Sequence, residues 1–256
     1  MKLTFVRTEL FAFILTSGIL FAGCKKTKVD KFNPTDCSQC LIQEIVVERP
    51  DQDSLHYIFT YNTNGDPVTV KNDGVTTGNP NLFFVYDQNH RLTQMVHPYE
   101  NGFYESWDKY GYNSTGQIVR DTMYQNGLFT DSIAQPAVAF TAYFTYSYDA
   151  QGRISKRTDS TFYYNVYSNT DSATFSYDAT GNQIRLGVTY DNKNSILRTN
   201  KVWMFICNDF SVNNPFTATA YNSYKLPFDF PAVDYNNYLA PIIPQQFGGR
   251  VVYACP

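Results

Sequence analysis

The chain has 256 residues, a net charge of -3 and many aromatic side chains, with 21 Tyr and 20 Phe. Such a composition excludes a disordered chain, because its apolar area can offset the entropy lost on folding. The length fits one sizeable domain or two small ones. The small and unpatterned charge gives no reason to expect a nucleic-acid partner.

Residues 1–23 have the pattern of an export signal. Lys2 and Arg7 precede an apolar run that is too short to span a membrane as a helix. Small residues then lead into Cys24, an arrangement that resembles the lipobox of bacterial lipoprotein signals, with Phe21 where Leu is usual. The resemblance implies cleavage before Cys24 and acylation of its thiol, so that a lipid holds the protein at a membrane. The alternatives are an ordinary secretory signal and an apolar N-terminal anchor.

Residues 24–40 are predicted to form a lipidated tether, followed by a single β-rich domain over residues 41–256. The segment 25–36 is polar, contains Pro34 and lacks periodicity. Its lysines could face lipid headgroups, although a solvated charge run is the plainer interpretation.

Four further cysteines suggest disulfide bonds, because an even number in an exported chain usually forms them. They are Cys37, Cys40, Cys207 and Cys255. Three pairings are possible, and a bond from Cys37 or Cys40 to Cys255 would join the two ends of the domain. The CxxC spacing of the first pair also occurs in redox and zinc motifs, but no helix is predicted nearby and the three histidines are scattered. We therefore predict structural disulfides, no metal and no cofactor.

The region 41–200 is predicted to form consecutive β-hairpins. A first strand is expected at residues 41–48, and later segments such as HYIFTY and AYFTYSYD alternate aromatic and polar residues with period two. Between them recurs a phrase of Tyr, Asp or Asn, two free positions, usually Gly or Asn, and then a β-branched residue or Leu. The six copies begin at Tyr61, Tyr86, Tyr112, Tyr148, Tyr177 and Tyr190.

Each phrase predicts a tight turn between two strands. The Asp or Asn side chain starts a type I turn, and the residue at the fifth position, usually Gly, closes it in the left-handed conformation. The last two copies are expected to be joined by a strand over residues 183–190. The longer connections, residues 72–81 and 131–139, should lie at the opposite edge of the sheet.

These elements predict an all-β fold, an antiparallel meander of YDxxG-type hairpins that forms a large curved sheet or half-open barrel. The segment 201–256 differs in character. Five prolines between Pro215 and Pro244 forbid regular ladders there, so it should wrap over one face or close one end. The apolar run 201–210 is either a strand buried on both faces or a short helix that caps the sheet.

The clearest phrase, YDAQGRI at residues 148–154, resembles the YD repeat of Rhs-type and teneurin-type β-shells. With the lipobox, the CxxC and the Asn214-Pro215-Phe216 tripeptide, the chain is more similar to a group of Bacteroidetes lipoproteins of unknown function. This resemblance implies an antiparallel, porin-like or half-open sheet. Because CKKTKVD lacks the acidic stretch of surface-displayed lipoproteins, it also implies an outer-membrane lipoprotein that faces the periplasm.

No catalytic motif stands out in the sequence, and the chain is not expected to be an enzyme. Its aspartates at the second phrase position are explained by the turns. They are Asp87, Asp149, Asp178 and Asp191. Aromatic side chains are the functional resource in surplus, since Tyr and Trp can stack on sugar rings or anchor an interface.

Two aromatic groups are candidates for ligand stacking. The first comprises Tyr104, Trp107, Tyr110 and Tyr112, with Phe103 beside them, and the second comprises Phe162, Tyr163, Tyr164 and Tyr167. The alternative is that they fill cross-strand ladders. We expect a lipid-anchored cell-envelope protein with a non-catalytic binding or structural role, whose partner is another envelope protein. The alternative is a module that binds a glycan or small molecule on an aromatic-lined concave face of the sheet.

Overall fold

The structure is a computed structural model. The described residues are 37–50, 52–130, 133–136, 139–232, 238–243 and 247–256. The predicted signal, Cys24 and the segment 25–36 lie outside them. Among the described residues, no helix has the length and apolar character needed to cross a membrane.

The described residues contain thirteen strands. Their bounds are β1 (Leu41–Val47), β2 (Leu55–Tyr61), β3 (Pro67–Asn72), β4 (Leu82–Tyr86), β5 (Leu92–Pro98), β6 (Phe103–Tyr112), β7 (Ile118–Thr130), β8 (Ile133–Gln135), β9 (Phe140–Tyr148), β10 (Ile154–Tyr163), β11 (Val166–Thr174), β12 (Asp229–Phe230) and β13 (Gly249–Ala254). A 3-10 helix (Ile196–Thr199) and an α-helix, α1 (Lys201–Ile206), stand between β11 and β12.

All thirteen strands belong to one antiparallel sheet. Its order is β11-β10-β9-β7-β6-β5-β4-β3-β2-β1-β13-β12, and the short β8 pairs only with β7. Apart from β8, consecutive strands from β1 to β11 are therefore neighbours, and the chain then returns to place β13 beside β1. The predicted antiparallel all-β meander is confirmed, and the sheet is open, since its edge strands β11 and β12 do not pair with each other among the described residues.

The four phrases that begin at Tyr61, Tyr86, Tyr112 and Tyr148 each join two neighbouring strands, and these turns lie together at one end of the sheet, which we call the turn end. In the copy after Tyr148, Asp149 Oδ1 accepts hydrogen bonds from the backbone N–H groups of Gln151 (3.0 Å) and Arg153 (2.9 Å). Gly152 has a φ of 76°, so a residue without Cβ closes the turn as predicted.

A seventh copy of the phrase begins at Tyr221 and was not predicted from the sequence. Asn222 Oδ1 accepts from the backbone N–H groups of Tyr224 and Leu226, each at 2.9 Å, as in the other turns. The fifth position is Lys225, with a φ of 60°, where Gly is usual. Lys at the fifth position makes this copy differ from the Gly pattern. His90 occupies the same position of the second phrase with a φ of 57°, so a residue with a side chain is accommodated there.

The prediction of a strand over residues 183–190 is wrong, because the structure has no strand there. The Tyr190 phrase does not form a hairpin either. The Tyr177 phrase closes with a single bridge to Gln183. The backbone N–H of Gln183 then donates to Ser211 Oγ at 3.0 Å, and its side chain donates to the Asn208 carbonyl at 3.1 Å. The Ser211 side chain thus satisfies a backbone N–H that a strand ladder would otherwise have paired.

The segment that contains the two helices covers one face of the sheet. The main core lies between this segment and the sheet. Trp203 of α1 is fully buried and its ring meets Phe59 and Phe84 edge-on, each at 5.6 Å. Of the two predicted conformations for this apolar run, the structure has the short helix. It begins because the Asn200 side chain accepts from the Val202 N–H at 2.9 Å, and the chain leaves it at Asn208, whose φ is 49°.

A disulfide joins Cys40 to Cys255, which is one of the bonds considered for linking the two ends of the domain. Cys37 and Cys40 are buried in a small cluster with Tyr224 and Leu226. Residues 37–40 of the predicted tether are therefore packed against the domain.

Candidate functional site

The four predicted stacking residues of β6 do not share one surface. Tyr110 packs edge-on against Phe205 of α1 at 5.5 Å, and Tyr112 also belongs to the core under the helices. Tyr104 and Trp107 belong to a separate cluster, where they are only 1% and 6% exposed and their rings lie 6.2 Å apart. Ligand stacking by these four residues stays a prediction.

The Tyr residues of successive phrases tie one turn to the next. Each hydroxyl donates to the carbonyl of the aliphatic residue that follows the preceding turn. The three bonds run from Tyr112 to Leu92 (2.7 Å), from Tyr148 to Ile118 (2.6 Å) and from Tyr177 to Ile154 (3.2 Å). Burial raises the pKa of both Tyr112 and Tyr148 to about 12, so these hydroxyl groups keep their protons and remain donors.

The Arg of the phrase adds a second tie. Arg153 forms an ion pair with Asp149 of its own turn at 2.7 Å, and its guanidinium lies 4.0 Å from the ring centre of Tyr177 in the next phrase. Arg91 repeats the arrangement with Asp87 and Tyr112. The YD phrase therefore holds the turn end together, which leaves its aspartates structural.

Two cavities open between the sheet and α1, one on each side of Phe205. The first, at the turn end, has a volume of about 210 Å³ and largely apolar walls that include Tyr86, Tyr112 and Tyr148. The second, which we call the acid cavity, has a volume of about 140 Å³. Its lining residues are Met95, Asp108, Tyr110, Asp121, Phe144, Tyr146, Arg157, Phe205, Ile206 and Asn208.

Asp108 and Asp121 bring two carboxyl groups into the acid cavity from adjacent strands, each only 6% exposed. Burial raises the pKa of Asp108 to about 7. Burial and the neighbouring charge of Asp108 raise the pKa of Asp121 to about 9, although the Tyr146 hydroxyl and Arg157 offset part of this shift. The pair therefore does not carry two full negative charges at neutral pH.

The basic groups near the pair do not neutralise it. His97 Nε2 lies 4.0 Å from Asp108 Oδ2, but burial lowers the pKa of His97 to about 4, so the ring is uncharged at neutral pH. Arg157 is engaged by Asp159, to which its Nε and Nη2 donate at 2.8 and 2.9 Å. The cavity can thus hold and release protons near neutral pH, and it has an electrostatic preference for a cation.

The opposite face of the sheet carries a continuous row of cross-strand partners, which we call the outer row. It consists of Phe83, Val96, Trp107, Tyr124, Thr141, Phe162 and Tyr167. In its middle, Trp107 is buried against Tyr124, with ring centres 5.1 Å apart. At the end formed by β9, β10 and β11 the rings reach the surface, where Tyr167 is 58% exposed. Tyr143, which lies two residues from Thr141 on the same face, is 47% exposed.

Asp108 and Asp121 were not predicted as site residues from the sequence. One signal for them was present, because Asp108 alternates with Tyr110 and so occupies an inward position of an aromatic strand. The pairing of Asp121 with Tyr110 depends on strand register, which the sequence leaves open. Among the described residues, no group of three or more His, Cys, Asp or Glu side chains could hold a metal ion.

The comparisons with known proteins add no functional assignment for this geometry. No protein-family model matches the chain, and no curated protein matches it. The outer face of the sheet and the two cavities beside α1 are therefore the features from which a function is inferred.

Proposed function

We propose that the protein is a lipid-anchored, non-catalytic component of the cell envelope that binds a neutral glycan on the outer face of β9, β10 and β11. The observation that carries this proposal is the exposed end of the outer row. Tyr143 and Phe162 have ring centres 5.3 Å apart, and Phe162 and Tyr167 have ring centres 5.8 Å apart. Together the three rings offer a stacking surface at low entropic cost.

The groups around these rings favour a ligand rich in hydroxyl groups. Ser160, the cross-strand partner of Tyr143, shares a hydrogen bond of 3.0 Å with Thr170 on the same face. The neighbouring row consists of Thr145, Thr158 and Ser172. Hydroxyl groups can both donate to and accept from sugar hydroxyl groups.

Charge also supports a neutral ligand. Arg157, Asp159 and Asp171 belong to the other face. Arg157 lines the acid cavity, Asp159 lies two residues along the same strand, and Asp171 is the cross-strand partner of Asp159. The direct cross-strand partners of Tyr143 and Phe162 on this face, namely Thr122, Ser160 and Thr141, are uncharged, which favours a ligand without charge at the rings themselves. The basic residues Lys109, Arg120 and Lys156 lie further along this face.

Membrane attachment is proposed from the lipobox resemblance at Cys24. We expect Cys24→Ala to release the protein from membranes extracted with alkaline carbonate. Unchanged retention of the variant would contradict a lipid anchor.

The glycan proposal is tested by titrating neutral oligosaccharides into the full chain and into ring variants. We expect Tyr143→Ala and Tyr167→Ala each to weaken binding by about tenfold, since each removes one stacking surface. Tyr163→Ala is the matched control, because Tyr163 lies on the same hairpin, is 59% exposed and has partners on the opposite face. Equal losses in all three variants, or no binding by any neutral oligosaccharide, would contradict the proposal.

A second candidate function follows from the edge of the sheet. β11 pairs only with β10 among the described residues, and almost all of its side chains are exposed. Such an edge can accept an added strand from a protein partner. This alternative predicts that Ser172→Lys blocks a partner that Tyr143→Ala leaves unaffected, because Lys on an edge strand opposes further pairing.

A further inference from the structure

We propose that the acid cavity is a binding site for a small organic cation, namely an ammonium group that carries short alkyl substituents. The site lies on the covered face of the sheet and is independent of the proposed glycan surface. Three features support a cation there: aromatic rings in the walls, buried carboxyl groups of which one oxygen has no donor among the described residues, and the small volume of the cavity.

Aromatic rings supply the walls. Phe205 of α1 contacts Tyr110 of β6 and Tyr146 of β9, with ring centres 5.5 and 5.1 Å apart, and Phe144 completes the lining. Several rings around one small cavity are the arrangement that recognises alkylated ammonium groups, because the ring faces attract positive charge and the alkyl groups gain apolar contact.

Asp108 and Asp121 supply the opposite charge. Asp121 is more than nine-tenths buried, lines the cavity, and its Oδ1 has no hydrogen-bond partner among the described residues. Asn208 Oδ1, in the same lining, is also buried without a partner in the part of the chain that the structure describes. Buried oxygen atoms without donors are costly, and the positive charge of a bound cation would offset part of that cost electrostatically.

The other charged groups near the cavity do not fill this role. Arg157 lines the cavity, but it is paired with Asp159, and its guanidinium lies 5.6 Å from the ring centre of Phe144. His97 is uncharged at neutral pH because burial lowers its pKa. Two carboxyl groups thus face the cavity, and the one cation in its lining among the described residues, Arg157, is already paired with Asp159.

Size and donor chemistry limit the ligand. A volume of about 140 Å³ accommodates a tetraalkylammonium head but is smaller than the roughly 300 Å³ of sites for larger ligands. Walls of Tyr and Phe are poor ligands for a divalent metal, which prefers a shell of oxygen atoms.

The test compares choline with 3,3-dimethyl-1-butanol, its uncharged counterpart of the same shape, and with tetramethylammonium. Each is titrated into the full chain by calorimetry. We expect both cations to bind and choline to bind at least about tenfold more tightly than the alcohol, since only a cation gains the ring and carboxylate attraction. Equal affinity for choline and the alcohol, or no binding by either cation, would overturn the proposal.

Variants locate the site. We expect Asp121→Asn, which keeps shape and removes charge, to weaken choline binding by about tenfold or more. Asp171→Asn, on the exposed strand β11, is the matched control and should leave the affinity unchanged. Equal choline affinity in Asp121→Asn and the unmodified chain would exclude this cavity, as would binding of Ca²⁺ or Mg²⁺ with no binding of tetramethylammonium.

The pH dependence of binding provides a readout that needs no variant. The groups that face the ligand are Asp108, Asp121, Tyr110, Tyr146 and the Arg157–Asp159 pair, with His97 behind Asp108. Of these, the two lining carboxyl groups lose protons between about pH 7 and pH 9. Cation binding should therefore release protons, and the affinity for choline should rise across this interval. An affinity that falls or stays constant with rising pH would overturn the proposal.

Discussion

Asp121 shows how a single residue can work against stability while it prepares a site. Its carboxyl group is buried, lies beside Asp108 and leaves Oδ1 without a donor among the described residues. A protonated carboxyl group is the cheaper form in such surroundings, so folding raises the pKa of Asp121 from its ordinary value near 4 to about 9. The burial of this carboxyl group therefore lowers the stability of the folded protein whether or not a ligand is bound.

This cost predicts the pH dependence of stability. Between about pH 4 and pH 9 the folded chain holds a proton on Asp121 that the unfolded chain has lost, so the free energy of unfolding should fall as pH rises. Each such proton contributes a slope of about 1.4 kcal/mol per pH unit. Asp121→Asn should reduce this slope and be more stable than the unmodified chain at pH 8, as measured by urea unfolding at several pH values.

The control for this prediction is Asp171→Asn, which changes an exposed carboxyl group on β11. It should keep the slope of the unmodified chain. The same slope in Asp121→Asn would show that the buried carboxyl group is ionised in the folded protein.

The turn is the element whose structure follows most directly from the sequence. Gly116 has a φ of 81°, and a Cβ at this position would meet no atom within 4 Å. The cost of a side chain is therefore conformational alone, and Gly116→Ala should lower the free energy of unfolding by about 1 to 2 kcal/mol. Gly116→Asn should recover part of the loss, because Asn adopts the left-handed region more readily.

Gly111 is the matched control for this substitution. It lies in the preceding strand without a positive φ, and an added Cβ would make ordinary contact with the Arg120 side chain at 3.4 Å. Gly111→Ala should change stability by less than about 0.5 kcal/mol in the same urea unfolding measurement. A similar loss in both variants would mean that the backbone conformation of the turn is not what selects Gly.

Elements that depend on distant partners are less predictable than the turns. The run around Trp203 has the same apolar pattern in a buried strand and in a short helix, and only the Asn200 cap distinguishes them. The segment that begins at Gln183 does not form a strand, and Gln183 bonds instead to Ser211 and Asn208, which lie 28 and 25 residues away in the sequence. The acid pair likewise needs the register of β6 and β7. Local turn chemistry was predictable, whereas long-range pairing was not.

At the scale of the whole molecule, the sheet is a meander whose last long strand returns to its first. β13 pairs with β1, so residues from the two ends of the domain are neighbours in the sheet. A contact between residues so far apart carries a large loop-closure entropy. The Cys40–Cys255 disulfide lies at this junction and spans 215 residues of sequence.

The bond should therefore contribute strongly to stability through the unfolded state. A loop of this length corresponds to about 5 kcal/mol in the chain-entropy account, and removal of native disulfides typically costs about 2 to 5 kcal/mol. We expect the Cys40→Ser, Cys255→Ser double variant to unfold at lower urea concentration by a corresponding amount. Reductant should shift the unmodified chain in the same direction and leave the double variant unchanged, which shows that it acts through this bond. If the reduced, unmodified chain kept its full stability, the pairing of β1 with β13 would hold the two ends of the domain without the covalent link.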